Sequence, residues 1–99
     1  MKFRLPMDVT KVIEIIESSL VENGLSSYVK VSVATPVMSI DIKKMGTSKL
    51  SFKYEEDKGS TTFNLFDEDL AMLHKPYRGK ILEVISSAVT RFGGDILES

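Results

Sequence analysis

The residues best able to do chemistry in this sequence are cations that recur at every second position of several short segments. Alternate side chains of a strand point to opposite faces of a sheet, so this spacing gathers them on one face. That face is expected to carry six cations and two acids: Lys2, Arg4, Lys30, Lys43, Lys49 and Lys53 against Asp41 and Glu55. Lysines so arranged can contact the phosphates of nucleic acid or another anionic macromolecule. The predicted partner-binding residues of the sheet are therefore Lys30, Lys43, Lys49 and Lys53, although lysines that protect strands from aggregation give the same pattern.

A second cationic group surrounds Pro76, at the expected start of a helix. It comprises His74, Lys75, Arg78 and Lys80, and the intervening Gly79 allows close backbone approach. The free amides of a helix N-terminus favour an anion, so Lys75, Arg78 and Lys80 are predicted to bind a phosphate or an acidic partner. The alternative is that His74 and Lys75 cap the preceding short helix while Arg78 and Lys80 are solvated.

Patterns typical of catalysis and metal binding are missing. The chain has no cysteine, a single histidine, no nucleophile-elbow serine and no HExxH motif. His74 could act as a general base only with a partner group and a pocket. The acidic runs 55–57 and 67–69 lack the alternating ligands of a calcium loop, and we interpret them as a solvated turn and a helix start. The sequence therefore predicts a protein that is not an enzyme, with no cofactor and no bound metal.

The sheet lysines are positioned by four consecutive strands predicted between residues 28 and 66. Every second residue of these strands is apolar: Val29, Val31, Val33, Met38, Ile40, Ile42, Leu50, Phe52, Tyr54, Phe63 and Leu65. An antiparallel sheet with this pattern buries one face and exposes the other. Residues 2–5 alternate in the same way and form a predicted first strand.

Two amphipathic helices are predicted to cover the apolar face. The first begins after the N-cap Asp8 and ends at Asn23-Gly24, with a buried stripe that includes Val12, Ile16 and Leu20. A short helical segment is expected at residues 70–73, and Pro76 opens a last helix that ends at Gly93-Gly94. The expected buried stripe of that helix is Tyr77, Ile81, Val84, Ile85, Ala88 and Phe92, widened by Leu82 and Val89. Residues 95–99 are interpreted as a tail.

The element order β-α-β-β-β-β-α predicts one two-layer α+β domain over residues 1–99, with a five-stranded antiparallel sheet and both helices on one face. A first strand beside the fifth gives the order 1-5-4-3-2, which the alternating pattern favours over a parallel pairing with the second strand. This element order resembles that of the TATA-box-binding protein's half-domain and, more loosely, helix-grip folds. The resemblance implies an architecture and transfers no functional residue.

Composition is ordinary for a soluble globular protein, with a net charge of −1 and 42% hydrophobic residues. No apolar run has the length of a signal peptide or a membrane span, so we expect a cytoplasmic protein that does not bind membranes. The leading hypothesis is a small binding module whose partner is nucleic acid, another anionic macromolecule or a protein. The alternative is a homodimeric interaction subunit that assembles through the open sheet.

Overall fold

A computed structural model describes residues 1–99 and confirms the α+β class. The strands are β1 (Lys2–Leu5), β2 (Val29–Ala34), β3 (Val37–Lys43), β4 (Thr47–Asp57), β5 (Ser60–Asp69) and β6 (Asp95–Glu98). The helices are α1 (Val9–Glu22) and α2 (Lys75–Arg91), and a single 3-10 turn, Met72–His74, leads directly into α2.

All six strands form one antiparallel sheet, in the order β2-β3-β4-β5-β1-β6. β1 lies beside β5, with Phe3 opposite Phe63, which is the placement that the alternation favours. The predicted number of five strands is wrong, because the tail forms β6 and pairs with β1, with Arg4 opposite Asp95. Gly94 makes this pairing possible: a side chain there would collide with the carbonyl oxygen of Arg4.

The core lies between the helices and the inward side chains of the sheet. Three phenylalanines form its aromatic centre, since the Phe3 ring stacks on Phe63 with centroids 5.0 Å apart and meets Phe52 edge-on at 5.9 Å. The other fully buried large side chains come from every second strand position and from both helices: Leu5, Met38, Ile40, Ile42, Leu50, Ile16, Leu20, Ile81 and Ile85. The alternating pattern of β3 and β4 is thereby confirmed.

The first helix has the boundaries that its capping residues predict. The Asp8 carboxylate accepts a hydrogen bond of 2.9 Å from the Lys11 amide, which satisfies one free donor of the first turn. At the other end Gly24 takes a positive φ of 72°, and the Leu25 amide donates back to the Leu20 carbonyl over 2.9 Å.

Two predictions for the second half of the chain are wrong. Residues 67–69 do not start a helix: they extend β5, which pairs with β4 as far as Asp69 opposite Lys49. The register between β4 and β5 shifts between Ser51 and Phe52. Residues 67–69 therefore do not continue the apolar alternation of the first part of β5. In α2, Val89 is buried and Phe92 is 40% exposed, because the helix ends at Arg91 and the chain then turns towards β6.

Candidate functional site

The predicted sheet lysines come together on the face that the helices leave open. We call this area the lysine surface: the outward side chains of β2, of β3 and of the part of β4 that pairs with β3. In one row across the three strands, Asp41 lies between Lys30 and Lys49. Lys43 lies opposite Thr47, and Lys53 lies opposite Val37. The positions between the charges hold small side chains: Ser32, Ala34, Ser39 and Ser51. The side chains between the charges are thus small, and the lysine surface carries four cations and one carboxylate, with Asp69 of β5 opposite Lys49.

The remainder of the open face is acidic. β5 contributes Asp67 and Asp69, and β6 contributes Asp95 and Glu98, opposite Arg4 and Lys2 of β1. The end of β4, beyond its pairing with β3, adds two further acids. The whole face thus has six cations and seven acids, the acids being Asp41, Glu55, Asp57, Asp67, Asp69, Asp95 and Glu98.

The predicted excess of six cations over two acids is consequently wrong for the face as a whole. It fails because β4 runs on to Asp57, because β5 is longer than its alternation shows, and because residues 95–98 form the strand β6 and not a tail. The charges are instead divided across the sheet: lysines gather over β2, β3 and the paired part of β4, and most acids lie over β5 and β6. A charged partner meets two different surfaces on one face.

The charges of the lysine surface form no ion pairs within the chain. The two ion pairs in the chain, Arg78–Glu68 and Arg91–Glu22, both lie elsewhere. Asp41 accepts only a long hydrogen bond of 3.4 Å, from the Ser32 hydroxyl. An open depression of about 440 Å³ marks the boundary with the acidic part of the face, and its charged lining is Asp41, Lys43, Lys49, Asp67 and Asp69.

The second predicted group, at the start of α2, does not join the lysine surface. Glu68 lies opposite Leu50, a core residue, and so points to the helical side of the sheet. There it accepts hydrogen bonds of 2.5 and 3.0 Å from the Arg78 guanidinium. These bonds lower the pKa of Glu68 and raise that of Arg78. Arg78 is thus engaged within the chain, whereas Lys75 and Lys80 are exposed.

His74 is fully buried, and both of its ring nitrogens are hydrogen bonded. Nε2 lies 2.7 Å from the Lys44 carbonyl oxygen, which can only accept, so Nε2 carries the proton. Nδ1 then accepts from the Ser48 hydroxyl at 2.7 Å, and the Ser48 oxygen accepts from the Ala71 amide, also at 2.7 Å. This Ser48–His74 network ties the β3–β4 hairpin to the entry of α2. Because every polar group in this network has a hydrogen-bond partner, the network connects two elements of the fold and leaves His74 no free nitrogen.

An aromatic cluster beside His74 was not predicted. The Lys44 ammonium lies 4.9 Å from the ring centre of Tyr28 and 5.6 Å from that of Tyr77, and the two rings meet edge-on at 5.1 Å. These three residues are far apart in the chain and belong to no sequence motif, so the sequence carries no signal that brings them together. The contact explains why Lys44 does not extend the lysine surface: its ammonium is held over the rings on the helical side.

The structure contains no group of three or more His, Asp or Glu side chains that could hold a metal ion. Neither helix is long and apolar enough to cross a membrane. Comparison of the chain with protein families, with curated proteins and with solved structures finds no match. The similarity in element order to the TATA-box-binding protein's half-domain therefore stays a prediction.

Proposed function

We propose that this chain is a non-enzymatic binding module that holds a nucleic-acid backbone on its lysine surface. The observation that carries the proposal is the local charge: Lys30, Lys43, Lys49 and Lys53 stand over three neighbouring strands, where Asp41 is the one acid, and Asp69 of β5 lies opposite Lys49 at the border. None of the four ammonium groups is ion-paired within the chain. Binding phosphate therefore breaks no ion pair within the chain.

The dimensions of the surface suit an extended polyanion. Lys30 and Lys49 are separated by two strand spacings, or roughly 10 Å, and Lys49 and Lys53 lie four residues apart, or roughly 13 Å. The small side chains between them leave a strand of nucleic acid free to approach the sheet. No aromatic side chain projects from these rows, so stacking on bases contributes little and recognition falls on the phosphates. We accordingly expect binding that depends on salt and not on base sequence.

The salt dependence supplies the test. Four lysine–phosphate contacts give a slope of log K against log salt of about −3.6 for duplex DNA and about −2.8 for a single strand. The measurement is fluorescence anisotropy with labelled oligonucleotides of mixed sequence, from about 20 to 200 mM salt. Reversal of Lys43, Lys49 and Lys53 to glutamate is expected to abolish binding. All three side chains are exposed and leave the core intact, and circular dichroism checks that the variant folds, because glutamate at position 49 faces Asp41 and Asp69.

A matched control changes the net charge equally but leaves the lysine surface intact. Lys11, Lys75 and Lys80 are exposed on the helical layer, and their reversal to glutamate should retain most of the affinity. If this control loses binding while the sheet variant keeps it, the start of α2 is the site and the proposal is wrong. Absence of binding by the wild-type protein at 20 mM salt also refutes the proposal.

A further inference from the structure

The two edges of the sheet are built differently. β6 is a short edge strand of four residues that begins with Asp95 and ends with Glu98. Charges at both ends of so short a strand hinder its pairing with another chain. β2, at the opposite edge, has six residues, and Lys30 is its one charged side chain. β2 is therefore the edge that is open to pairing.

The hydrogen bonds of β2 show which backbone groups are free. The Tyr28 carbonyl accepts from the Lys43 amide at 2.8 Å, so Tyr28 and every second residue after it face β3. The residues between them, Val29, Val31 and Val33, direct their amides and carbonyls away from the sheet. The Val29 amide is satisfied by the Leu25 carbonyl at 2.9 Å. The free amides of the edge thus belong to Val31 and Val33, and the free carbonyls to these two residues and to Val29.

The helices cover the apolar side chains at this edge only in part, and Val31 is half-buried against the core. Val33 is 46% exposed on the helical side of the sheet, and Val21 of α1 is 61% exposed. Val21 and Val31 line one open depression of about 230 Å³ between α1 and the edge. Free backbone groups and partly exposed valines therefore occur at one place.

We propose that a second copy of this chain pairs with β2, strand to strand and antiparallel, about a two-fold axis that passes between the two Ser32 residues. Val31 then stands opposite Val33 of the second copy, and the two residues exchange both backbone hydrogen bonds. The axis repeats this pair, which gives four intermolecular hydrogen bonds and uses the free amide and carbonyl of both valines. The four valine side chains meet on the helical side, with Val21 of each copy at their flank.

The charges of β2 agree with this register. Lys30 lies opposite Ala34 of the second copy, and the two Lys30 residues are about 14 Å apart along the strands, so like charges do not face each other. The product is a continuous sheet of twelve strands, six from each copy. Its open face brings the two lysine surfaces side by side at the centre and leaves the acidic parts at the ends. The dimer does not rest on the proposed nucleic-acid function and is tested in the absence of nucleic acid.

Ser32 provides a direct test, because its exposed side chain would face its own copy across the axis. Ser32→Lys and Ser32→Glu each place like charges opposite each other, and each is expected to raise the dissociation constant of the dimer by up to about fivefold. An equimolar mixture of the two variants places lysine opposite glutamate and should form a heterodimer. Sedimentation equilibrium over a range of concentrations measures the dissociation constant of each variant and of the mixture. The control is Ser87→Lys, which changes an exposed residue of α2 and should leave the protein dimeric.

Hydrogen exchange adds a readout at the interface itself. The Val31 and Val33 amides should be slow to exchange in the wild-type dimer and fast in either Ser32 variant. The proposal is overturned if the wild-type protein is a monomer at several hundred micromolar, or if both variants dimerise as the wild type does. It is also overturned if the variants remain monomeric when mixed, since the axis would then not pass between the Ser32 residues.

Discussion

Ser48→Ala tests whether the network around His74 holds the structure together. The Ser48 hydroxyl donates to His74 Nδ1 and accepts from the Ala71 amide, both at 2.7 Å, inside a region where His74 has no exposed surface. Removing it leaves one buried acceptor and one partly buried donor without partners, and each costs about 1–3 kcal/mol. We expect the free energy of unfolding to fall by about 2–6 kcal/mol, or about 10–30 °C in Tm for a domain of this size.

Urea unfolding followed by circular dichroism measures this loss as a lower midpoint at an unchanged slope. The matched control is Ser51→Ala on the same strand. Ser51 is also largely buried, but its hydroxyl makes no hydrogen bond within the chain. Removing this hydroxyl should therefore lower the free energy of unfolding by less than about 0.5 kcal/mol. His74→Phe in the Ser48→Ala background should cost less than the two single changes together. A Ser48→Ala loss below about 1 kcal/mol, or one equal to that of Ser51→Ala, would refute the inferred hydrogen-bond directions.

Two further changes test the attachment of β6 and of α2. Gly94→Ala forces a methyl group against the Arg4 carbonyl and to 2.9 Å from Val89 Cγ1, so it should lower the free energy of unfolding by about 1–3 kcal/mol. The control is Gly79→Ala, in α2 with open space around it, which should raise the free energy of unfolding by up to about 1 kcal/mol. Equal effects at the two glycines would contradict the packing of β6. Glu68→Gln removes the charged partner of Arg78. The pKa of Glu68 is lowered below its ordinary value of 4.5, so the ion pair stabilises the fold above pH 4.5. This stabilisation is lost as the pH falls below 4.5 and Glu68 takes up a proton. We expect a difference from wild type on the order of 0.5 kcal/mol at pH 7 that shrinks as the pH falls below 4.5, whereas a difference that stays constant on acidification would contradict this role of the pair.

Local signals predicted most of the fold because the physics behind them is local. The Asp8 carboxylate satisfies an amide three residues away, and Gly24 can take the positive φ that ends α1; both depend on neighbours in sequence. The alternation of Met38, Ile40 and Ile42 likewise follows from the geometry of a single strand. These features need no knowledge of the rest of the chain.

The parts that were missed depend on distant partners. Asp67 and Asp69 belong to a strand because β4 is long enough to pair with them beyond the register shift, and acids after an apolar run look like a helix start. β6 has no buried residue and exists because Gly94 lets the backbone reach β1. Both misses affected the candidate site, since these segments supply four of the acids that balance the face.

The division of charge has a consequence for the two proposals together. Pairing through β2 places two lysine surfaces next to each other, and their mutual repulsion opposes the dimer. A nucleic-acid backbone bound across both surfaces removes that repulsion, so binding and dimerisation should be coupled. Coupling between two binding equilibria is reciprocal: if an oligonucleotide tightens the dimer by some factor, the dimer must hold that oligonucleotide more tightly than the separate monomers do by the same factor. Repulsion between lysines is also screened by salt, which weakens oligonucleotide binding at the same time. Salt should therefore strengthen the free dimer while it releases the nucleic acid, and these opposite responses follow from one arrangement of lysines on β2, β3 and β4.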